Sequence, residues 1–135
     1  MPVKIFTLDE ANALVPELIR IFDKITATRV KIGLIRESLD YSGQARPDFA
    51  EAPQKLMIKM NAMTEELKRH VNEVQAHGCV VKDLENYLVD FHSVIDSRPA
   101  FLCWRYGEEK IRYWHDQEAG YKGRIPLNAI RQEVK

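Results

Sequence analysis

Apolar residues recur at alternating steps of three and four along Ala11, Leu14, Leu18, Ile21, Ile25, Ile32, Ile35 and Leu39, with Thr28 in the one polar slot. Seven residues make close to two helical turns, so such a repeat returns to one face and forms the seam of a coiled coil or a long helical hairpin. Val15 and Phe22 widen the stripe, which gives the helix more apolar surface than one narrow seam buries. Thr7-Leu8-Asp9-Glu10 marks the start. The Thr7 hydroxyl can accept from the Glu10 backbone N–H while the Glu10 carboxylate accepts from that of Thr7, and Phe6 stands ready to fold back onto Ala11. Pro16 lies inside the pattern, where its ring meets the carbonyl of Asn12. A short opening helix that kinks or breaks near Val15 is therefore expected, with Pro16 in the first turn of the long one.

Tyr41 to Ala50 is polar and carries Gly43 and Pro47, which reads as a loop. A second helix is expected from about Ala52 to His77, with Leu56, Met60, Met63, Leu67, Val71 and Val74 as its apolar stripe and Gly78 as its C′ stop. Both long helices then span about 36 Å at 1.5 Å per residue, and equal lengths with one connecting loop predict an antiparallel hairpin. One hairpin cannot cover two broad apolar faces. The remainder must lie against a sheet or a second copy of the chain, so a homodimer or higher oligomer through the long helices is expected. His70 and His77, seven apart on one helix face, stand roughly 10 Å from each other, too far to share a metal ion.

After Gly78 the period switches. Cys79–Lys82 and Leu88–Phe91 are short β-favourable runs around a turn at Asp83–Asn86, where Asn86 tolerates a left-handed backbone. Ala100–Tyr106 and Ile111–His115 complete a four-strand meander, with Gly107–Lys110 as the connecting turn. A four-residue loop sets Trp104 opposite Tyr113, Leu102 opposite His115 and Arg105 against Arg112, a like-charge pair. A three-residue loop avoids that pair and swaps the faces, so the register stays open. The fold class is α+β: one domain over residues 1–135, with a hairpin half (1–78), a β-meander half (79–127) and a tail (128–135).

Twenty basic residues balance twenty acidic ones, so overall charge gives no support to nucleic-acid or anionic-membrane binding. No apolar run approaches the roughly 18 residues of a membrane span. The opening MPVKIFTLDEAN lacks the basic-then-apolar order of a secretory signal, and reduced Cys79 and Cys103 in the cytoplasm are expected.

The order GC-VVKD, LVDF, LCWR-x-GE-x-x-I-x-YWH and G-x-x-GR-x-PL, together with the opening FTLDEANALVP, resembles an uncharacterised prokaryotic family known as domain of unknown function 2203. The resemblance covers nearly the whole chain apart from the loop around Gly43 and the tail after Asn128. It implies a small bacterial protein and brings no activity, cofactor or site residue.

Phe101–Arg124 holds both tryptophans and three of the five tyrosines, and chemistry is sought in or beside it. Cys79, His92, Cys103 and His115 form a Cys₂His₂ set that zinc or another divalent metal could use, though no two have the close spacing of structural zinc sites. The plainer alternative makes both cysteines small buried hydrophobes and leaves His115 hydrogen-bonded at a strand end. Asp90, Arg105, Glu108, His115 and Arg124 form a second constellation. A carboxylate within an apolar strand needs a partner, Arg105 can grip an anion bidentately, and His115 can exchange protons beside a carboxylate. The plainer alternative there is a structural ion-pair network. No phosphate loop, H-E-x-x-H, C-x-x-C or G-x-S-x-G occurs, so no cofactor is predicted and enzymatic activity is neither required nor excluded. The leading expectation is a non-enzymatic oligomeric assembly or interaction module. The alternative is an anion- or metal-binding protein, enzymatic or not, with its site in the C-terminal β half.

Overall fold

The structure, a computed structural model, describes residues 3–42, 52–117 and 123–127. Two long packed helices forming a hairpin, α1 (Leu8–Ser42) and α2 (Pro53–Gln75), precede an antiparallel sheet of β1 (Val80–Asp83), β2 (Leu88–Ile95), β3 (Arg98–Arg105), β4 (Tyr113–Asp116) and β5 (Ile125–Pro126). The five strands follow chain order across the sheet, an open meander in an α+β fold. Two compact units emerge: one takes the described parts of Met1–Arg20 and Glu73–Lys135, the other those of Ile21–Asn72.

α1 begins at the expected cap. Thr7 N–H donates to Glu10 Oε1 at 2.8 Å and Glu10 N–H donates to Thr7 Oγ1 at 3.1 Å. These bonds satisfy two of the N–H groups that a helix start leaves without partners. The expected break at Val15 does not occur, and α1 runs 35 residues with Pro16 inside it. Pro16 sits on an exposed face, where water can take up the carbonyl bond its missing N–H leaves open, so packing on the neighbouring turns overrides the local penalty. The helices are consequently unequal, about 52 Å for α1 against about 34 Å for the 23 residues of α2. α1 also takes in Tyr41 and Ser42, assigned above to the loop, while the rest of that loop and the tail after Asn128 lie outside the described residues. α2 ends at Gln75, two residues before the expected His77, and Gly78 closes the turn that follows it. Its φ of +99° is open to glycine, its N–H donates to Gln75 O at 3.0 Å, and an added Cβ would stand 3.1 Å from Lys4 Cδ.

In the larger unit Phe6, Ala11, Val15, Leu18, Val74, Cys79, Val89, Phe91, Leu102 and Trp104 are buried. Phe6 meets Phe91 edge to face at 5.1 Å, its N–H donates to His92 O at 2.8 Å, and its carbonyl accepts from Ser93 Oγ at 2.7 Å. Asn12 Oδ1 takes the Ile111 N–H at 2.7 Å, which fastens α1 to the β3–β4 connection. In the other unit Ile21, Phe22 and Ile25 are fully buried. The polar slot of the seam is answered across the hairpin, where Thr28 Oγ1 donates to Glu66 Oε2 at 2.8 Å.

Five strands replace the expected four, because β5 pairs with β4 through Trp114 and Ile125. The β2–β3 hairpin is longer than expected and turns on two residues, Asp96 and Ser97, both at positive φ (52° and 65°). Such a backbone matches strand twist, and the two-residue turn fixes the pairing from Ile95 opposite Arg98 down to Leu88 opposite Arg105. At the β1–β2 turn Asn86 donates to Asp83 through its backbone and side chain, and Tyr87 rather than Asn86 is left-handed (φ 56°).

Candidate functional site

Pairing across the sheet places the candidate side chains. Asp90 on β2 lies opposite Cys103 on β3, which lies opposite Tyr113 on β4, and His92 lies opposite Phe101, which lies opposite His115. Residues opposite one another share a face, so Asp90, His92, Phe101, Cys103, Tyr113 and His115 all stand on one side of the sheet. The β3–β4 register left open above is therefore the one that separates Trp104 from Tyr113 and keeps Arg105 from facing Arg112. β4 begins only at Tyr113, because the connection before it folds into a turn in which Glu108 N–H donates to Arg105 O and Trp104 Nε1 donates to Glu108 O, both at 2.9 Å.

Asp90, Cys103 and His115 converge. Their exposures are 2%, 1% and 1%, and one ligand-type atom from each lies within 4.8 Å of the other two. His115 Nε2 stands 3.0 Å from Asp90 Oδ1, and Nδ1 stands 2.8 Å from the Asp116 carbonyl oxygen. A carbonyl only accepts, so Nδ1 carries hydrogen, and one proton is then shared between Nε2 and the Asp90 carboxylate. Burial alone pushes the imidazolium down. The bonds with Asp90, Cys103 and the Asp116 carbonyl outweigh it and lift the His115 pKa from 6.5 to about 10. Asp90 and His115 thus form a buried hydrogen-bonded pair whose contacts favour the imidazolium.

The remaining candidates form a separate cluster. Arg124 Nη2 donates to both Glu108 carboxylate oxygens at 2.9 and 3.0 Å, and its guanidinium lies 4.0 Å from the centre of the Tyr113 ring. Arg105 is exposed at the end of β3 and gives its backbone N–H to Glu108 Oε1 at 2.7 Å. Arg124 also reaches Cys103 of the first cluster: Nη2 donates to its backbone carbonyl at 3.4 Å, and the guanidinium interacts with its sulfur. The second constellation therefore forms an Asp90–His115 pair and a Glu108–Arg124 pair, which adjoin at Cys103.

The Cys₂His₂ set divides as well. Cys79 lies beside the helices and donates its thiol hydrogen to Val74 O at 3.3 Å, and burial pushes its pKa up to about 11. His92 meets Phe101 at a tilt, ring centres 4.7 Å apart, and does not join the cluster. Both cysteines are free. By residue type Asp90 and Cys103 fall in different constellations, with Cys103 an optional member of a site around Asp90, Arg105, His115 and Arg124. The signal that unites them was the Asp96-Ser97 turn, whose two-residue geometry makes residues 90 and 103 partners. On the helices, His70 faces Glu66 at 3.7 Å and His77 faces Glu17 at 3.9 Å, each its own contact rather than a shared site.

Fold and site together define a class: an α+β protein in which a long helical hairpin precedes an open antiparallel meander with a buried Asp–Cys–His cluster on its middle strands. The chain belongs to the family described as uncharacterized conserved protein DUF2203, whose model matches residues 4–127. No curated protein and no solved structure matches it. Among the described residues no helix is long and apolar enough to cross a membrane.

Proposed function

We propose that this protein is a non-enzymatic assembly module that pairs with a second copy of itself through the helical hairpin. The observation that carries the reading is apolar exposure within Ile21–Asn72: Val30, Leu34, Met57 and Ile58 are 62%, 58%, 48% and 68% exposed. Ile32, Ile35, Leu39, Met60, Met63 and Leu67 are only half-buried there. Val30 and Leu34 are four apart on one helix face, the spacing at which a partner helix covers both. A second copy is the fitting occupant, because twenty basic and twenty acidic residues leave no net charge to hold two chains apart. The free Cys79 and Cys103 suit a reducing cytoplasm as the place of action.

Charge placed on the exposed stripe tests the reading. The paired change Val30→Glu and Leu34→Glu is expected to reduce the mass in multi-angle light scattering from dimer to monomer while the far-ultraviolet helical signal stays unchanged. A wild-type monomer at micromolar concentration contradicts the proposal, and so does a dimer untouched by the substitutions.

A further inference from the structure

Asp90, Cys103 and His115 come from three consecutive strands, β2, β3 and β4, and meet at one buried point. We propose that this cluster is a divalent-metal site, fitted best to Zn²⁺, in which Asp90, Cys103 and His115 Nε2 are the ligands and the ion ties the three middle strands together.

The donor set carries the choice of ion. One carboxylate oxygen, one thiolate sulfur and one imidazole nitrogen are hard, soft and intermediate ligands, a mixture that zinc accepts and magnesium or calcium does not. Geometry supports it independently. Metal-bound histidines hand their second ring N–H to a carbonyl or carboxylate, which fixes the tautomer, and His115 Nδ1 already points at the Asp116 carbonyl at 2.8 Å. Nε2 is thereby directed toward Asp90 and Cys103. Donors bound at about 2.0–2.3 Å in a tetrahedron stand roughly 3.3–3.7 Å apart, so the cluster's 3.0 Å closest contact and 4.8 Å outer limit ask for small side-chain shifts only.

Charge supports it too. An M²⁺ ion held by neutral imidazole, carboxylate and thiolate, their protons released to solvent, makes a set that is neutral as a whole. Burial therefore does not oppose the filled site through net charge. Three protein ligands leave a fourth position for water. Cys103 is 1% exposed and so is badly placed to attack a substrate, which leaves ligation as its fitting chemistry.

The test is metal content and cobalt spectroscopy on the full chain. Protein purified without chelator is expected to retain about one zinc ion per chain through dialysis, as a buried ion exchanges slowly. Co²⁺ introduced during refolding is expected to give a thiolate-to-cobalt charge-transfer band and tetrahedral visible bands. Cys103→Ser should abolish the charge-transfer band and Cys79→Ser should leave it intact. If Cys103→Ser does not fold, Asp90→Asn takes its place, with at least a tenfold loss of Co²⁺ affinity expected. Absence of both stoichiometric metal and the cobalt band overturns the proposal. So does a band that survives Cys103→Ser, or unchanged affinity in Asp90→Asn. Neither result bears on self-association through the helices, which is read by mass.

Discussion

Asp90 has one strong partner, His115, and the pair lies out of water. Burying two charges is expensive, and the mutual bond offsets that expense only while both members remain. Asp90→Ala should therefore destabilise chelator-treated protein by about 3–5 kcal/mol in urea unfolding, because it leaves the buried His115 ring without its carboxylate partner. A loss under about 1 kcal/mol would mean that His115 simply sheds its proton and the ion pair is not what holds the cluster. Glu66 gives a pH-dependent counterpart. The Thr28 hydroxyl bond holds its carboxyl below the ordinary value of 4.5. A depressed folded-state pKa contributes stability above the unfolded value, and that contribution is lost as pH falls through the folded one. Thr28→Val should raise the Glu66 titration midpoint in NMR toward 4.5, and the stability gap between the two proteins should narrow at acidic pH. An unmoved midpoint would show that the hydrogen bond does not form in solution.

The elements differ in how much of them could be read from the chain. Cap and stop are local chemistry: Thr7 and Glu10 sit three apart, and Gly78 follows the last apolar position of α2, so both ends of the hairpin were legible. Pro16 was misleading because its penalty is local, whereas the packing of Ala11, Val15, Leu18 and Phe22 that keeps α1 continuous is not. The sheet was legible as strands but not as a register, since one residue of turn length exchanges the faces and Asp96-Ser97 looks like any polar pair. The candidate site inherited that gap. Asp90 was conspicuous as a carboxylate among apolar residues and Cys103 as a thiol, yet only the register puts them side by side. Two glycines test the account of the helices. Gly78→Ala places a Cβ at φ +99° and 3.1 Å from Lys4 Cδ, and should lower stability by about 1 kcal/mol or more. Gly33→Ala lies inside α1 with nothing within 4 Å of the new Cβ, and should raise stability by roughly 0.5–1 kcal/mol. Thermal melts of the two variants should move in opposite directions. A shift of the same sign in both would contradict the positive-φ stop at Gly78 or the continuous helix at Gly33.

At the scale of the molecule, burial is uneven along the seam that dominates the sequence. Ala11, Leu18, Ile21, Ile25 and Thr28 are buried and Leu14 is half-covered, whereas from there on Ile32, Ile35 and Leu39 are all half-covered and Val30 and Leu34 face outward. A heptad repeat sustained beyond the point where the chain's own residues bury it is the surface that the proposed pairing with a second copy would cover. Self-association is thus the central claim, and the charge-neutral composition permits it. Sedimentation equilibrium of the untagged chain, run across a concentration series and at low and high salt, tests it most directly. Twice the 15.7 kDa chain mass, with association held or strengthened by salt as apolar burial requires, is the predicted result. A single species of 15.7 kDa at every concentration would contradict it.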